Sequence, residues 1–585
     1  MPIRLTVIGG GPGGYTAAFA AARAGMSVTL VESGNLGGTC LNNGCIPTKT
    51  LKASVDALEL ALRLSQFGIT VQGAPAVDPA AVLARKEKVC ATLRGGLEKA
   101  CASLGVRLLK GRGRLVHAGL VEASTAEGPV SVEGDRVILA TGSGALELPG
   151  LPVDHTHILT SDDALALDRV PASIAIVGGG VIGCELAFIY QAFGSKVTVV
   201  EGQNRLLPLP SVDADMSALL QREMKKRRIG CELGRTLKDV RVEGGMVRAM
   251  LGASPFIKEP TPAQMKETPI EAETVLVTVG RAPNTAGLGL AEAGVAVDGR
   301  GWIRADEHMR TSLPGVYAVG DALGPSRIML AHVAAAEGLC AVRDCLGHDG
   351  RMDYSAVPSG IFTSPEIGCV GLAEAQASEA GRDVRTATFQ MRELGKAQAM
   401  SELPGMFKIV SDGATGKVLG VHIAGAHATD LIAEAGLALI QKIPTPITPI
   451  KMDKESRQIT LAFFEQKSTV DYIGVVQGIP VCFDAKECAV DTFSLQNIHP
   501  HQVEFMHQFE KQGGIAFFLI FYSHKDLLYY LPYEMLRFFW DRAQEGGRKS
   551  FRFEELNPEY IIPKHQGILV PYLDILKKDL EDREE

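Results

Sequence analysis

LTVIGGGPGG, residues 5–14, decides how the first part of this 585-residue chain folds. An apolar strand runs directly into Gly9, Gly11 and Gly14. The helix-prone AAFAAARAG (17–25) follows, and a second strand, SVTLVE (27–32), ends on the acid Glu32. That order predicts a βαβ unit that binds a dinucleotide. The glycines allow a tight turn and let backbone N–H groups approach a pyrophosphate at a helix N-terminus, where the helix dipole favours an anion. Glu32 is placed to accept from ribose hydroxyls. The same text recurs about 170 residues later: SIAIVGGGVIGCELA (173–187) carries Gly178, Gly180 and Gly183, and KVTVVE (196–201) ends on Glu201. An acid there suits a free ribose hydroxyl and repels a 2′-phosphate, so NAD is favoured over NADP.

Directly after the first unit comes GGTCLNNGCIPTK (37–49), with Cys40 and Cys45 four residues apart and Lys49 one helical turn beyond. Two thiols among Gly and Asn beside a cofactor unit make a poor apolar core and a good redox pair. On these motifs residues 1–440 resemble the pyridine nucleotide-disulfide oxidoreductase family, and within it most the dihydrolipoamide dehydrogenases. The resemblance implies FAD on the first fingerprint and NAD on the second. It makes Cys45 the flavin-proximal thiol that forms the charge-transfer contact and Cys40 the interchange thiol that attacks substrate, with Lys49 near the flavin and paired with Glu185. ILATGSGALELPG (138–150), containing Thr141, Gly142 and Ser143, and VLVTVGRAPN (275–284), containing Gly280 and Arg281, resemble the family's crossover segments. TSLPGVYAVGDAL (311–323) puts Gly320 and Asp321 where the family binds the ribityl chain, and Gly113 joins the cofactor contacts by the same resemblance. YSAVPSGIFTSPEIGCVG (354–371) resembles the start of the family's interface domain. The implied layout is an FAD-binding domain at 1–150 and 281–350, an NAD-binding domain at 151–280, and a truncated α+β interface domain at 351–440. A homodimer and a small-molecule or lipoyl-domain dithiol substrate are implied with it.

The match stops at residues 438–440. HIAGAHATDLIAEAGLAL (422–439) still follows the family and predicts a helix running on through Ile440 and Gln441; the His-Pro-Thr and Glu stretch that the family donates across its dimer as an acid–base pair does not follow. His427 belongs to the matched segment and is read as structural. Composition changes at the same place: residues 441–585 hold 21 of the 34 aromatic residues and only five alanines. The prolines of KIPTPITPIKMD (442–453) mark a boundary.

Beyond that boundary, STVDYIGVV (468–476) and IPVCFDAKE (479–487) alternate around Gln477 and Gly478 and predict a β-hairpin. Asp471 and Asp484 then lie on adjacent strands, with Lys486 on the face of Asp484. Carboxylates to hold Mg²⁺ and a lysine to steady developing charge are what a metal-dependent phosphodiesterase needs, although charged residues on a solvent face are the commoner meaning of such a pattern. With FSLQNIHPHQVEFM (493–506), KQGGIAFFLI (511–520) and FFWDRAQEGGRKSF (538–551), residues 439–585 resemble the RecU family of Holliday-junction resolvases. That resemblance implies a truncated restriction-endonuclease-like α/β domain at 441–585. It makes Thr469, Asp471, Asp484 and Gln502 metal contacts, Lys486 the catalytic lysine and four-way junction DNA the partner. Asp484 stands where the family has Glu, and the family's opening helix, part of its dimer surface, is replaced by the flavoprotein. The aromatic runs AFFLIFY (516–522) and LRFFW (536–540) are expected in the core and on an amphipathic helix.

Bulk properties set limits. A formal net charge of −8, and of −5 for residues 441–585, gives no phosphate-binding surplus. The start, MPIRLTVIGGG, runs straight into a strand, so the chain is expected in the cytoplasm, and no apolar run approaches the roughly 18 residues that cross a bilayer. The 11 cysteines lack zinc spacing and point to redox chemistry. The whole reads as an FAD- and NAD-dependent disulfide oxidoreductase joined to a Mg²⁺-dependent endonuclease. Its rivals are a catalytically silent C-terminal appendage and a reductase for another disulfide or for mercuric ion.

Overall fold

The computed structural model describes every residue except 1, 443–446, 453–458, 465–471, 477–478, 512–513, 564–571 and 585. It divides into two compact units, Met1–Ala433 and Glu434–Glu585.

The first unit contains the same five-stranded parallel arrangement twice. One sheet runs Val316–Ala318, Arg136–Leu139, Arg4–Ile8, Ser27–Glu32, Arg107–Lys110; the other runs Gly230–Leu233, Lys196–Glu201, Ser173–Val177, Thr274–Val277, Ile158–Thr160. Central strands covered on both faces read as continuous apolar runs, which is why RLTVI and SIAIV are buried almost throughout. The first sheet takes an edge strand from beyond the second, so the chain leaves it, builds the second sheet and returns. The return is packed by glycine. Helix Ala331–Cys345 crosses helix Pro12–Arg23 so closely that a Cβ at Gly338 would lie 2.5 Å from the Gly13 carbonyl oxygen. Ala17, fully buried, lies beside Gly338 at that seam.

A third, antiparallel sheet follows, in the order Ser359–Ile361, Glu366–Gly371, Val418–Gly425, Met406–Asp412, Val384–Gln390. Lys408, on the fourth of these strands, ties it to the second sheet's domain. Its buried ammonium reaches Asp213 at 2.8 Å, Asp215 at 2.7 Å and Glu374 at 2.6 Å. Three carboxylates around one ammonium offset the cost of burying it.

The expected helix through residue 441 is shorter. Helix Ala428–Leu437 ends there, and Ala438–Lys442 is a strand paired antiparallel with Tyr472–Val476. Sheet pairing outweighs the helical propensity of Ala and Leu. The unit boundary at 433/434 therefore precedes the expected break at 438–440.

The second unit is a six-stranded mixed sheet in the order Ala438–Lys442, Tyr472–Val476, Ile479–Cys488, Ile515–Tyr522, Leu527–Pro532, Ile561–Ile562. The predicted hairpin is present as strands Tyr472–Val476 and Ile479–Cys488. Ile479–Cys488 and Ile515–Tyr522 pair in parallel, and helix Pro500–Lys511 supplies the crossover between them. AFFLIFY forms the central strand: Phe517 stacks between Phe483 (centroids 4.8 Å apart) and Tyr530 (4.3 Å). Helix Tyr533–Gln544 buries Leu536 and Phe539 and leaves Phe538 exposed, the expected amphipathic division.

Candidate active site

The two fingerprint turns are held by contacts that leave no room for a side chain. A Cβ at Gly14 would lie 1.8 Å from the Gly9 carbonyl oxygen, and one at Gly183 2.0 Å from that of Gly178. Gly9 (φ +103°) and Gly178 (φ +108°) also adopt a backbone conformation that other residues rarely reach. The middle glycines differ. Nothing lies within 4 Å of the Cβ position of Gly180, and Gly11 has only Gly38 Cα at 3.8 Å, so space remains where a pyrophosphate would approach.

The strand-end acids hold these loops. Glu32 accepts from the N–H of Gly10 and of Gly34, each at 2.6 Å. Glu201 accepts from Gly179 at 2.6 Å and from Gln203 at 2.7 Å. Each carboxylate oxygen keeps a lone pair for a ribose hydroxyl.

Cys40 lies in the short helix Gly38–Asn42, and Cys45 is the first residue of helix Cys45–Arg63. Both are free thiols, half-buried. The Cys40 thiol hydrogen-bonds Cys45 and, with the charge of Lys49, lowers the Cys45 pKa to about 6 against the opposing effect of burial. A helix N-terminus favours the same thiolate. Cys40 is driven the other way, well above an ordinary thiol, by that hydrogen bond and by burial. The two thiols are thus pushed in opposite directions, Cys45 toward the thiolate and Cys40 toward the protonated form.

Lys49 and Glu185 do not pair directly, a correction to the expectation. Both engage Phe362: Lys49 Nζ lies 3.7 Å from the ring centroid, and Glu185 Oε1 accepts the Phe362 N–H at 2.8 Å. The aromatic face takes the place of the carboxylate as the ammonium's contact. Burial raises the Glu185 pKa to about 7.

The crossover and closing motifs meet. Strands Ser143–Ala145 and Arg281–Pro283 pair antiparallel. The Ser143 hydroxyl donates to Asp321 at 2.7 Å, and Arg281 donates from Nε to Ser143 Oγ at 2.5 Å and from Nη2 to the Ser143 carbonyl at 2.6 Å. Asp321 acts electrostatically on both thiols, which puts this cluster and the dithiol in one neighbourhood. Gly142 has open space at its Cβ position and Gly280 has only Leu146 nearby, whereas a Cβ at Gly113 would lie 2.8 Å from Ile8 Cγ2. Thr141 has a buried hydroxyl with no partner among the described residues.

Glu337 escaped the sequence reading. It is 1% exposed, accepts the Gly320 N–H and the Tyr354 hydroxyl, each at 2.6 Å, and has a pKa raised to about 7 by burial. The only signal was one acid inside the apolar helix text AHVAAAEGLCAV.

In the second unit, Asp484 is fully buried, and Lys486 Nζ lies 2.9 Å from its Oδ1. The expectation that these share a face holds. Gln502 also meets Asp484, through its amide nitrogen, while its amide oxygen accepts the His499 N–H at 3.0 Å. That oxygen caps the helix and keeps a second lone pair, and Gln502 stands directly beside Asp484. Thr469 and Asp471 lie outside the described residues. Among the described residues no group of three or more His, Cys, Asp or Glu side chains is arranged so that it could hold a metal ion.

Two parallel-sheet dinucleotide cradles, with a polarised dithiol between them in sequence, define a pyridine-nucleotide-linked thiol redox protein. Residues 3–338 match the family model for pyridine nucleotide-disulphide oxidoreductase and residues 357–447 that family's dimerisation domain; the chain belongs to this family. It is 38% identical to the dihydrolipoyl dehydrogenase of Chlamydia muridarum over 442 residues, 75% of this chain and 91% of that protein. Among solved structures it resembles LpdA from Mycobacterium tuberculosis (TM-score 0.67, 28% identity, 74% of this chain and 92% of that one). It also resembles the HOCl-induced flavoprotein disulfide reductase RclA from Escherichia coli (TM-score 0.63, 26% identity, 74% and 92%). Residues 416–578 match the model for recombination protein U, RecU. The two assignments overlap at 416–447, where strand Val418–Gly425 is paired into the reductase's antiparallel sheet. Among the described residues no helix is long and apolar enough to cross a membrane.

Proposed function

We propose that residues 1 to about 440 form an FAD- and NAD-dependent disulfide oxidoreductase that acts, like dihydrolipoyl dehydrogenase, on a small-molecule or lipoyl-domain dithiol, as a cytoplasmic homodimer. FAD is assigned to residues 1–150 and 281–350, NAD to 151–280, and the dimer contact to 351–440. The observation that carries this reading is the dithiol itself, two half-buried free thiols on consecutive helices directly after the first fingerprint unit. The residues fit the cofactor: Gly11 leaves space, Glu32 has free lone pairs, and Thr141 offers a hydroxyl without a partner among the described residues. Bound there, FAD supplies two-electron exchange between a nicotinamide and a dithiol.

The protein's own work is to move thiols and protons. Once reduced, Cys40 attacks one sulfur of a disulfide substrate, the other sulfur leaves with a proton, and a mixed disulfide forms. Cys45 then attacks Cys40 Sγ, the bound sulfur departs as the second thiol, and the Cys40–Cys45 disulfide returns. Overall NADH, a proton and one disulfide become NAD⁺ and one dithiol. Cys45, with a pKa of about 6, makes its attack as a thiolate at neutral pH, whereas Cys40 must give up the proton that the first departing sulfur takes. One equivalent of NADH, added without oxygen, should create two alkylatable thiols that mass spectrometry locates at Cys40 and Cys45. No NADH-dependent alkylation there would refute the assignment.

For the second unit we propose a junction-cleaving endonuclease, supported by the RecU match and by the Asp484–Lys486 contact. Thr469, Asp471, Asp484 and Gln502 would hold Mg²⁺, and Lys486 would steady the developing charge. Cleavage of a four-way DNA junction should require Mg²⁺ and fall by about 10²-fold or more in Asp484→Ala. Equal cleavage by that variant, or none by the unaltered chain, would leave a non-catalytic appendage as the reading.

A further inference from the structure

Phe256 is 69% exposed although a large apolar ring gains by burial. Single exposed aromatics are ordinary on a surface, but this one is held at a particular place. Ser254, buried at 3%, donates its N–H to the Gly234 carbonyl at 2.9 Å, and its hydroxyl accepts the Phe256 N–H at 3.3 Å. Gly234 in turn donates to the Gln203 carbonyl at 2.8 Å. The turn is therefore anchored to the segment that follows Glu201. The ring edge touches that segment too: a Cβ at Gly202 would lie 3.0 Å from Phe256 Cδ2 and 3.4 Å from Cε2. Gly202 directly follows the acid assigned to the nucleotide's ribose. Adenine is bonded to that ribose, so a dinucleotide whose ribose meets Glu201 must set its base within a few bond lengths of this ring.

We propose that Phe256 is the adenine-stacking residue of the NAD(H) site, a role that rests on reading the second fingerprint as that site. A nucleobase offers a flat π-surface, and stacking on it removes from water the apolar area that the fold leaves exposed. Phe256 thus adds affinity for the adenosine half of the cofactor and none for its nicotinamide half.

The test is equilibrium binding to the full-length protein, by calorimetry, of NADH and of reduced nicotinamide mononucleotide, which lacks adenine. Phe256→Ala should weaken NADH by about tenfold and leave the mononucleotide unchanged, while Phe256→Tyr should keep unaltered NADH affinity. NADH affinity within about twofold of the unaltered chain in Phe256→Ala, or equal weakening of both ligands, would overturn the proposal. Failure of the unaltered chain to bind NADH, or indifference of that binding to Glu201→Ala, would instead overturn the site on which it rests.

Discussion

Serine in place of Cys45 is expected to lower NADH-driven disulfide reduction by at least about 10³-fold, while NADH-driven reduction of an artificial dye persists. The two reactions part at the thiols. A dye takes electrons without forming a bond to sulfur, whereas disulfide substrates must pass through a mixed disulfide that a second thiolate resolves. Serine preserves the helix N-terminus and nearly the volume of the thiol but cannot take part in exchange. Cys45 is the more demanding of the two positions because it carries the thiolate: its pKa is lowered to about 6 by the Cys40 hydrogen bond and the Lys49 charge. Steady-state assays of both acceptors on one preparation check this. Parallel loss of both activities would mean that the substitution had damaged the fold or the cofactor site.

The unaltered chain carries its own handicap. Dihydrolipoamide oxidation should run about 10² to 10⁴ times more slowly than is usual for a reductase that retains its acid–base pair, with dye reduction unimpaired. The family text stops near residue 440, before the His and Glu that the resemblance assigns to proton transfer, and strand Ala438–Lys442 enters the second unit's sheet instead. A dithiol substrate near neutral pH is mostly protonated and needs a base to become a nucleophile. A rate for dihydrolipoamide that rises with pH as the substrate itself ionises, without a plateau near neutrality, is the expected profile. Full activity at neutral pH would show that another group supplies the base.

What could be read from the sequence was what is local. The glycine spacing at 9, 11 and 14 and at 178, 180 and 183, with an acid closing each unit, encodes a turn, a helix start and a strand end within one βαβ stretch. The Cys40–Cys45 pair sits on consecutive helices, so its chemistry was equally visible. Contacts across the chain were not. Phe362 lies between Lys49 and Glu185, and Glu337 receives Gly320 and Tyr354, because the third sheet and the returning helix bring distant segments together; the segment 354–371 that contains Phe362 does not mark its partners, and Glu337 belongs to no motif. The helix expected through residue 441 fails for a related reason. Alanine and leucine favour a helix in isolation, and only the strand Tyr472–Val476, much later in the chain, turns Ala438–Lys442 into its neighbour. That Gln502 stands beside Asp484 was legible only through the resemblance, since the two residues are 18 positions apart and meet where helix Pro500–Lys511 packs on the sheet.

If Cys45 is a thiolate held against a bound flavin, visible absorbance during anaerobic reduction of the purified full-length protein will report it. An oxidised-flavin spectrum is expected at the start. On two-electron reduction a long-wavelength thiolate band should appear, fade as pH falls through about 6, where Cys45 takes up its proton, and be missing in Cys45→Ser. Colourless protein, or a yellow one that shows no such band at any pH, would contradict it.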